Sequence, residues 1–357
     1  MKGSVDAVGF ANAVEEGLNE AGIMDVIKLP LADGGDGTAK ILATYYKADV
    51  VPVKVNDPLN REIESVFYIN KCNTAILEMA DASGLKLLDP SEYSAINTTS
   101  FGTGQLIKAA VESGATTIII GVGGSATVDG GMGALMALGV RFFSSENEIL
   151  VGNGSNTGDV IYIDSTAARK VFDGINLIFL SDVTNPLLGQ EGAARIFGPQ
   201  KGATHLEVEM LEKNLSLYAG ALFQTTGIDI SKLPGGGAAG GIVASFHALF
   251  NAQPVNGAVF ILEKAGFLKL ALDADVIVTG EGAIDDSTFM GKAPGEVLRI
   301  GIELGKPVYA ICGSNKLTQN SGFTEIFSLL DERVDESTAI KEAYTLIKHR
   351  TLLMTKK

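Results

Sequence analysis

The apolar positions first recur at a helical spacing. Val5, Val8, Ala11, Val14 and Leu18 share one face over residues 4 to 21, and Gly22 ends the run. The spacing predicts an amphipathic helix. "VIKLPLADGGDG" (26–37) then reads as a short strand entering a glycine loop, with Thr38 capping a helix to about Tyr46. From residue 48 the texture becomes β-type. "ADVVPVKVNDPLN", "REIESVFYIN" and "NTAILEMADASG" are three short runs divided by Asp57-Pro58, Asn70 and Asn73, which predicts an antiparallel meander.

The helical period returns in "TGQLIKAAVESG". "TTIIIGVGG" reads as a buried strand, "ATVDGGMGALMALG" as the opening of another helix, and "NLIFLSDVTNPL" as a strand ending in a polar loop. Helices are expected near 205–225 and 238–252. The last third alternates: "ADVIVTGEGAID" strand and loop, "PGEVLRIGIEL" helix, "PVYAICGSN" strand, "EIFSLL" strand. Near-continuous apolar strands separated by helices imply a parallel sheet covered on both faces. The first 47 residues share this texture and the middle does not. The expected fold is therefore α/β with two domains. One is a doubly wound parallel sheet formed by both chain ends, 1–47 plus 268–357. The other is an inserted mixed α/β domain, 48–267.

Composition changes this picture in a few respects. The chain has 357 residues, 46% hydrophobic and 20% charged, which is globular and not disordered. Glycine, at 43 residues, is about 12% of the chain, against a usual ~7%. The glycines gather at the ends of apolar runs. The formal net charge of -14 offers no polybasic surface to nucleic acid or anionic lipid, so neither is an expected partner. A phosphate-bearing ligand would need backbone amides, a few lysines or a metal. Cys72 and Cys312 suggest no disulfide framework and fit a reducing cytoplasm. His205, His247 and His349 are scattered without zinc-site spacing. No apolar stretch approaches the roughly 20 residues of a membrane span.

Four glycine loops carry the candidate chemistry: "LADGGDGT", "GVGGSATVDGG", "LPGGGAAGG" and "VTGEGAIDDSTFMGKAP". All but the third follow an expected strand. In doubly wound sheets ligands lie beyond the carboxyl ends of strands. Glycine there allows close backbone approach, and a following helix N-terminus offers unpaired N–H groups to an anion. The candidate substrate- or nucleotide-binding residues are Gly34, Gly35, Gly123, Gly124, Ser125, Thr127, Asn185, Gly236, Gly237, Gly280 and Glu281. Asp33, Asp36, Asp129, Glu281, Asp285 and Asp286 sit among small residues with few adjacent basic partners. They read either as solvated surface or as part of a Mg²⁺ site, with Asp33 and Asp129 the metal candidates. Lys2, Lys201 and Lys292 each adjoin glycine, in "KGS", "PQKGA" and "GKAP". A lysine is ordinarily solvated, but beside a glycine turn it can supply a point charge to a phosphoryl group.

Standard motifs mostly fail. No G-x-x-x-x-G-K-[ST] is present. "GGGAAG" (Gly235 to Gly240) satisfies G-x-G-x-x-G but follows "ISKLP" and no strand, so a nicotinamide-dependent oxidoreductase lacks its context. Three isolated histidines and no G-x-S-x-G elbow leave no support for a serine triad.

At these loops the chain resembles the bacterial type I glycerate kinase family. The stretches that carry the resemblance are "LPLADGGDGT", "AILEMADASGL", "TTSFGTGQLI", "IIIGVGGSATVDGGMGALMALG", "SDVTNPLLG", "GAARIFGPQKGAT", "PGGGAAGG" and "VTGEGAIDDSTFMGKAP". They occur in the family's order from residue 2 to about 315. The resemblance implies ATP-dependent phosphorylation of D-glycerate to phosphoglycerate with Mg²⁺. It also implies a flavodoxin-like domain interrupted by one with ribonuclease-H-like features. A homo-oligomer is compatible with this reading. Asp182 or Asp285 would orient or deprotonate the hydroxyl. Lys2, Lys201 and Lys292 would act on the transferring phosphoryl, Ser125 and Thr127 would be donors, and Asp129 a metal or hydroxyl partner.

Three positions depart from the family's pattern. It usually has Glu where Asp36 stands, Asn where Val128 stands and Arg where Ala283 stands. These departures motivate the alternative of a non-catalytic ligand-binding or regulatory descendant. The family also begins with a strand and an Asp-Ser-Phe turn before "KGS". In a 2-1-3-4-5 strand order, the strands legible here would be the second to fifth. The expectation is that about ten to fifteen further residues, roughly a strand and a turn, precede Met1.

Overall fold

The computed structural model describes residues 4–32, 34–317, 321–332 and 334–356. Two compact units divide the chain. One comprises Gly34–Asn256; the other joins the residues up to 33 to Gly257–Lys357. The sequence reading placed these boundaries at 47/48 and 267/268. The difference lies in two helices. Thr38–Tyr46 packs on the central strands of the larger unit, and Gly257–Lys264 packs within the smaller one.

The larger unit is built on a mixed sheet of six strands: β1 Asp49–Asn56, β2 Glu62–Ile69, β3 Thr74–Glu78, β4 Thr117–Gly121, β7 Asn176–Ser181 and β8 Gln253–Asn256. They lie in the order β1-β2-β3-β4-β7-β8. β1, β2 and β3 pair antiparallel as a meander, whereas β3, β4, β7 and β8 run parallel. The meander agrees with the alternation read from 48 to 78. A separate two-stranded ribbon, β5 Arg141–Phe143 with β6 Tyr162–Asp164, escaped that reading.

The parallel strands are apolar on both faces because helices cover both. Ile118 and Ile120 on β4 and Phe179 on β7 are fully buried against Leu106, Leu135 and Phe246 from flanking helices. Burying each such side chain stabilises the fold by about 1.5–3 kcal/mol. Register then fixes one end of the sheet. Glu78 pairs with Gly121, and Gly121 with Leu180, so β3, β4 and β7 finish level. The loops that leave them therefore emerge together.

The smaller unit has a parallel three-stranded sheet in the order β11-β10-β9, with β9 Ile277–Ile284, β10 Val308–Asn315 and β11 Glu325–Ser328. The helix Ala293–Glu303 covers one face, and Ala7–Glu20 packs with Ala343–Met354 in a second apolar cluster. The predicted strand at 26–32 is not one. Its Leu29 and Leu31 pack against the apolar core, but the segment joins no ladder with a described strand. Thr38 is also not a cap. Gly37 holds the N-cap position with φ of 88°, and Thr38 starts the helix. Two further helices begin later than read, at Met132 and Ile242, because left-handed glycines precede both.

Candidate active site

Four loops of the larger unit meet at the level end of β3, β4 and β7. They meet backbone to backbone. Gly123 N–H donates to Gly34 O at 2.9 Å, Leu85 N–H to Gly124 O at 2.9 Å, and Ala126 N–H to Ser83 O at 2.8 Å. A Cβ on Gly123 would stand 2.5 Å from Gly35 Cα. Any side chain there would force the Gly35 backbone to shift. The 235–241 segment docks the same way: Gly130 N–H donates to Gly240 O at 2.9 Å, and Gly237 N–H to Asn185 O at 2.9 Å. Gly240 has φ of 73°, and a Cβ there would lie 2.1 Å from Thr127 O. The glycine wealth of 118–133 thus serves loop-on-loop packing, which holds the polar groups of these loops in fixed places.

Lys201 sits at the centre of this packing. Its side chain is only 2% exposed. Nζ donates to Ser125 Oγ at 2.8 Å and to Thr127 O at 2.7 Å. Burial pushes the amine down to about 7, against a smaller upward pull from the Asp129 carboxylate. The sequence singled out Lys201, Ser125 and Thr127 separately, and the fold joins them. Thr127 Oγ1 is buried and has no hydrogen-bond partner.

Asp129 does not fit the role of metal ligand. It is fully buried, and both carboxylate oxygens are taken. Oδ2 accepts from Ser100 N–H at 2.8 Å, Ser100 Oγ–H at 2.7 Å and Gly133 N–H at 3.2 Å; Oδ1 accepts from Gly131 N–H at 3.0 Å. A cation would have to displace these donors. Asp129 instead ties the starts of the helices Phe101–Glu112 and Met132–Ala137 together. Burial holds its carboxyl above the ordinary range, opposed by the Ser100 hydroxyl and the surrounding backbone N–H donors.

Asp182 follows β7 directly and is half-buried, at the same end of the sheet. Asn185 is used structurally, its Nδ2 donating to Glu191 O at 2.9 Å. Gly236 and Gly237 are buried, and a Cβ on Gly237 would meet Pro186 O at 2.2 Å. Gly34 and Gly35 belong to the packed loop described above. Lys2 and Asp33 lie outside the described residues.

Two residues here were not picked out from the sequence. Ser100 completes the Asp129 network. Glu78, the last residue of β3, is 4% exposed and accepts from Ala39 N–H at 2.7 Å. A carboxylate closing an apolar strand was the available signal.

The fourth glycine loop belongs to the smaller unit and follows β9. Asp285 opens a single helical turn there: its Oδ1 accepts from Ser287 N–H at 2.9 Å and from the Ser287 hydroxyl. Lys292 Nζ donates to Ser287 Oγ at 2.9 Å. The Thr288 hydroxyl donates to Glu281, whose other oxygen lies 4.0 Å from Lys292 Nζ. The Ser287 hydroxyl holds Asp285 below the usual carboxylate range, so Asp285 is a weak proton acceptor. Gly280 is required by packing: a Cβ would stand 2.5 Å from the Phe10 ring and 2.1 Å from Ile311 O. Val128 is fully buried in the main apolar cluster, so the position has been absorbed into the core. Among the described residues, no group of three or more His, Cys, Asp or Glu side chains could hold a metal ion. No described helix is long and apolar enough to cross a membrane.

Comparisons with known proteins agree over nearly the whole chain. A family model described as the glycerate kinase family matches residues 1–355. A glycerate kinase of Haemophilus influenzae is 36% identical over 348 residues, covering 96% of this chain and 92% of that protein. A glycerate 2-kinase of Escherichia coli (strain K12) is 37% identical over 351 residues, again covering 96% and 92%. A crystal structure assigned as glycerate kinase 2 from Salmonella typhimurium LT2 superposes with a TM-score of 0.85 at 36% identity, covering 99% of this chain and 95% of that one.

Proposed function

The chain belongs to the glycerate kinase family and phosphorylates glycerate; from that premise we propose that the loop cluster of its larger unit is where the reacting anion is held. The observation that carries this is the buried amine of Lys201 on Ser125. Ser125 Oγ accepts from the amine and so keeps its own hydrogen to donate outward. An arriving carboxylate or phosphoryl group favours the charged amine, because opposite charge raises a lysine's pKa. Substrate binding and protonation of Lys201 are then linked, and the bound anion meets a charge-assisted donor.

The reaction needs little covalent help from the protein. The hydroxyl oxygen of D-glycerate attacks the γ-phosphorus of ATP, its proton passes to a carboxylate, and the bond from the γ-phosphorus to the bridging oxygen breaks to release ADP. Catalysis is positioning plus stabilisation of spread charge. Asp182 is the better base, since Asp285 is held ionised by Ser287. Mg²⁺ bound with ATP would supply neutralisation of phosphate charge. Among the described residues no group of three or more metal-ligating side chains is present, which fits a Mg²⁺ held chiefly by the phosphates of ATP. The residues at the two chain ends correspond in this reading to a flavodoxin-like domain, and the inserted part to a ribonuclease-H-like one.

An assay coupled to ADP release tests the reading. D-Glycerate with Mg-ATP should give turnover in the parent protein. Asp182→Asn should lower kcat at least a hundredfold. Absence of glycerate-dependent ADP release from the folded parent would refute the assignment, and full activity in Asp182→Asn would remove that residue as the base.

A further inference from the structure

Glu78 is a buried carboxylate whose hydrogen-bond partners are not cations. It closes β3 at the level end of the sheet, and its Oε1 accepts from Ala39 N–H in the first turn of the Thr38–Tyr46 helix at 2.7 Å. That helix has no cap of its own: its N-cap is Gly37, which has no side chain to offer. The loop before the helix is the one that docks on Gly123, and Gly34 N–H in turn donates to Thr38 Oγ1 at 3.1 Å. The Gly34–Gly37 loop is therefore held at two points, one on β4's loop and one through Glu78.

We propose that Glu78 is a positioning residue for the glycerate kinase reaction, capping the Thr38–Tyr46 helix from the neighbouring strand, and that its ionisation fixes the Gly34–Gly37 loop in the form that binds substrate. The inference rests on the reading above that this loop cluster holds the reacting anion. An ionised carboxylate at a helix start satisfies free N–H groups and opposes the positive end of the helix dipole. A protonated one gives up much of both.

The surroundings place the switch near neutrality. Burial pushes Glu78 up to about 7, opposed by the Ala39 N–H. The charged and titratable groups around it are Asp81 after β3, Lys86 beyond it, Asp36 in the loop itself and Tyr68 on β2. Lys86 Nζ lies 2.6 Å from Asp81 and 3.5 Å from Asp36, so its charge is shared with two other carboxylates. β4 brings no ionisable side chain, and its Gly121 pairs with Glu78 in the ladder. The sign follows: above about 7 the cap is ionised and the loop held, and below it the cap weakens.

Amide hydrogen exchange on the full chain reads this without reference to catalysis. Protection of amides 37–41, corrected for intrinsic rates, should be at least tenfold higher at pH 8.5 than at pH 5.5 in the parent. In Glu78→Gln the protection should be low and independent of pH. In steady-state kinetics Glu78→Gln should raise KM for ATP or glycerate at least tenfold with kcat changed less than threefold, and thermal unfolding should show that the variant remains folded. Equal protection at both pH values in the parent overturns the proposal and needs no variant. So does a Glu78→Gln enzyme with parental KM values for both substrates. If the parent fails to turn over glycerate, the functional reading falls, while the exchange data still decide the role of Glu78.

Discussion

Replacing Lys201 with methionine keeps most of its volume and removes its amine. Burial moves that amine from the ordinary 10.5 to about 7. At about 1.4 kcal/mol per pH unit, keeping it charged costs the fold about 5 kcal/mol. The folded pKa lies below the unfolded one, so between about 7 and 10.5 the unfolded chain holds a proton that the folded chain has released. Parent stability therefore gains up to about 1.4 kcal/mol per pH unit from this group as pH rises through that window, and nothing further below 7. Lys201→Met removes the contribution. It also strips donors from Ser125 Oγ and Thr127 O, at about 1–3 kcal/mol each. Near pH 6 loss and gain nearly cancel, and the variant should unfold within a few kcal/mol of the parent on either side. Near pH 10 the parent amine is neutral and only the lost hydrogen bonds remain, so the variant should be less stable by about 2–6 kcal/mol. Urea unfolding at pH 6, 8 and 10 measures the difference. Parallel stability curves for parent and variant would refute the buried-amine argument, and parental turnover in the folded variant would refute the catalytic one.

Asp129→Asn puts an amide where four donors converge, so one N–H₂ faces N–H groups; stability should fall by at least about 2 kcal/mol in denaturant unfolding, and an unchanged midpoint would contradict the network. Gly123→Ala forces the Gly35 backbone away, at about 1–3 kcal/mol for overpacking, with a disproportionate loss of kcat/KM; parental kinetics would show that loop docking is not required. Lys292→Ala should change stability by less than about 0.5 kcal/mol, as a half-exposed loop side chain. Its turnover should fall by the equivalent of ~2.7–4 kcal/mol, by analogy with loss of a single donor to a developing charge; equal activity would return Lys292 to the solvated surface.

The strands and the polar loops were legible because each is a local pattern. Three alternating runs with Asn and Asp-Pro turns become β1 to β3, and the Ile118–Ile120 run becomes a strand buried on both faces. Lys201, Ser125 and Thr127 were each picked from their glycine neighbours, but their joining depends on residues more than seventy positions apart and on strand register. No local signal carries that. The segment 26–32 misled for the complementary reason. An apolar run states that side chains will be buried, and says nothing of whether a neighbour will offer a ladder. Asp129 misled because a carboxylate among small residues looks the same in sequence whether cations or backbone amides surround it.

Glu78 and Lys201 show what the glycine loops accomplish physically. Close backbone packing excludes water from the level end of the sheet, and that exclusion pushes a carboxylate up and an amine down to about the same pH of 7. Each group bears an unfavourable charge in the absence of ligand. The carboxylate is directed at a helix start and the amine at a serine hydroxyl, so each charge acts on an element of the proposed site. The two linkages have opposite sign: ionising Glu78 lowers stability as pH rises from about 4.5 to 7, and neutralising Lys201 raises it above 7. The loop cluster is thus least stable near neutral pH, where each group is about half charged. That instability is what a bound anion can relieve, since it favours the charged lysine directly. Loss of that linkage in Lys201→Met, seen as ligand-induced stabilisation no longer varying with pH between 7 and 9, is the signature expected of a site whose charges are held ready by burial.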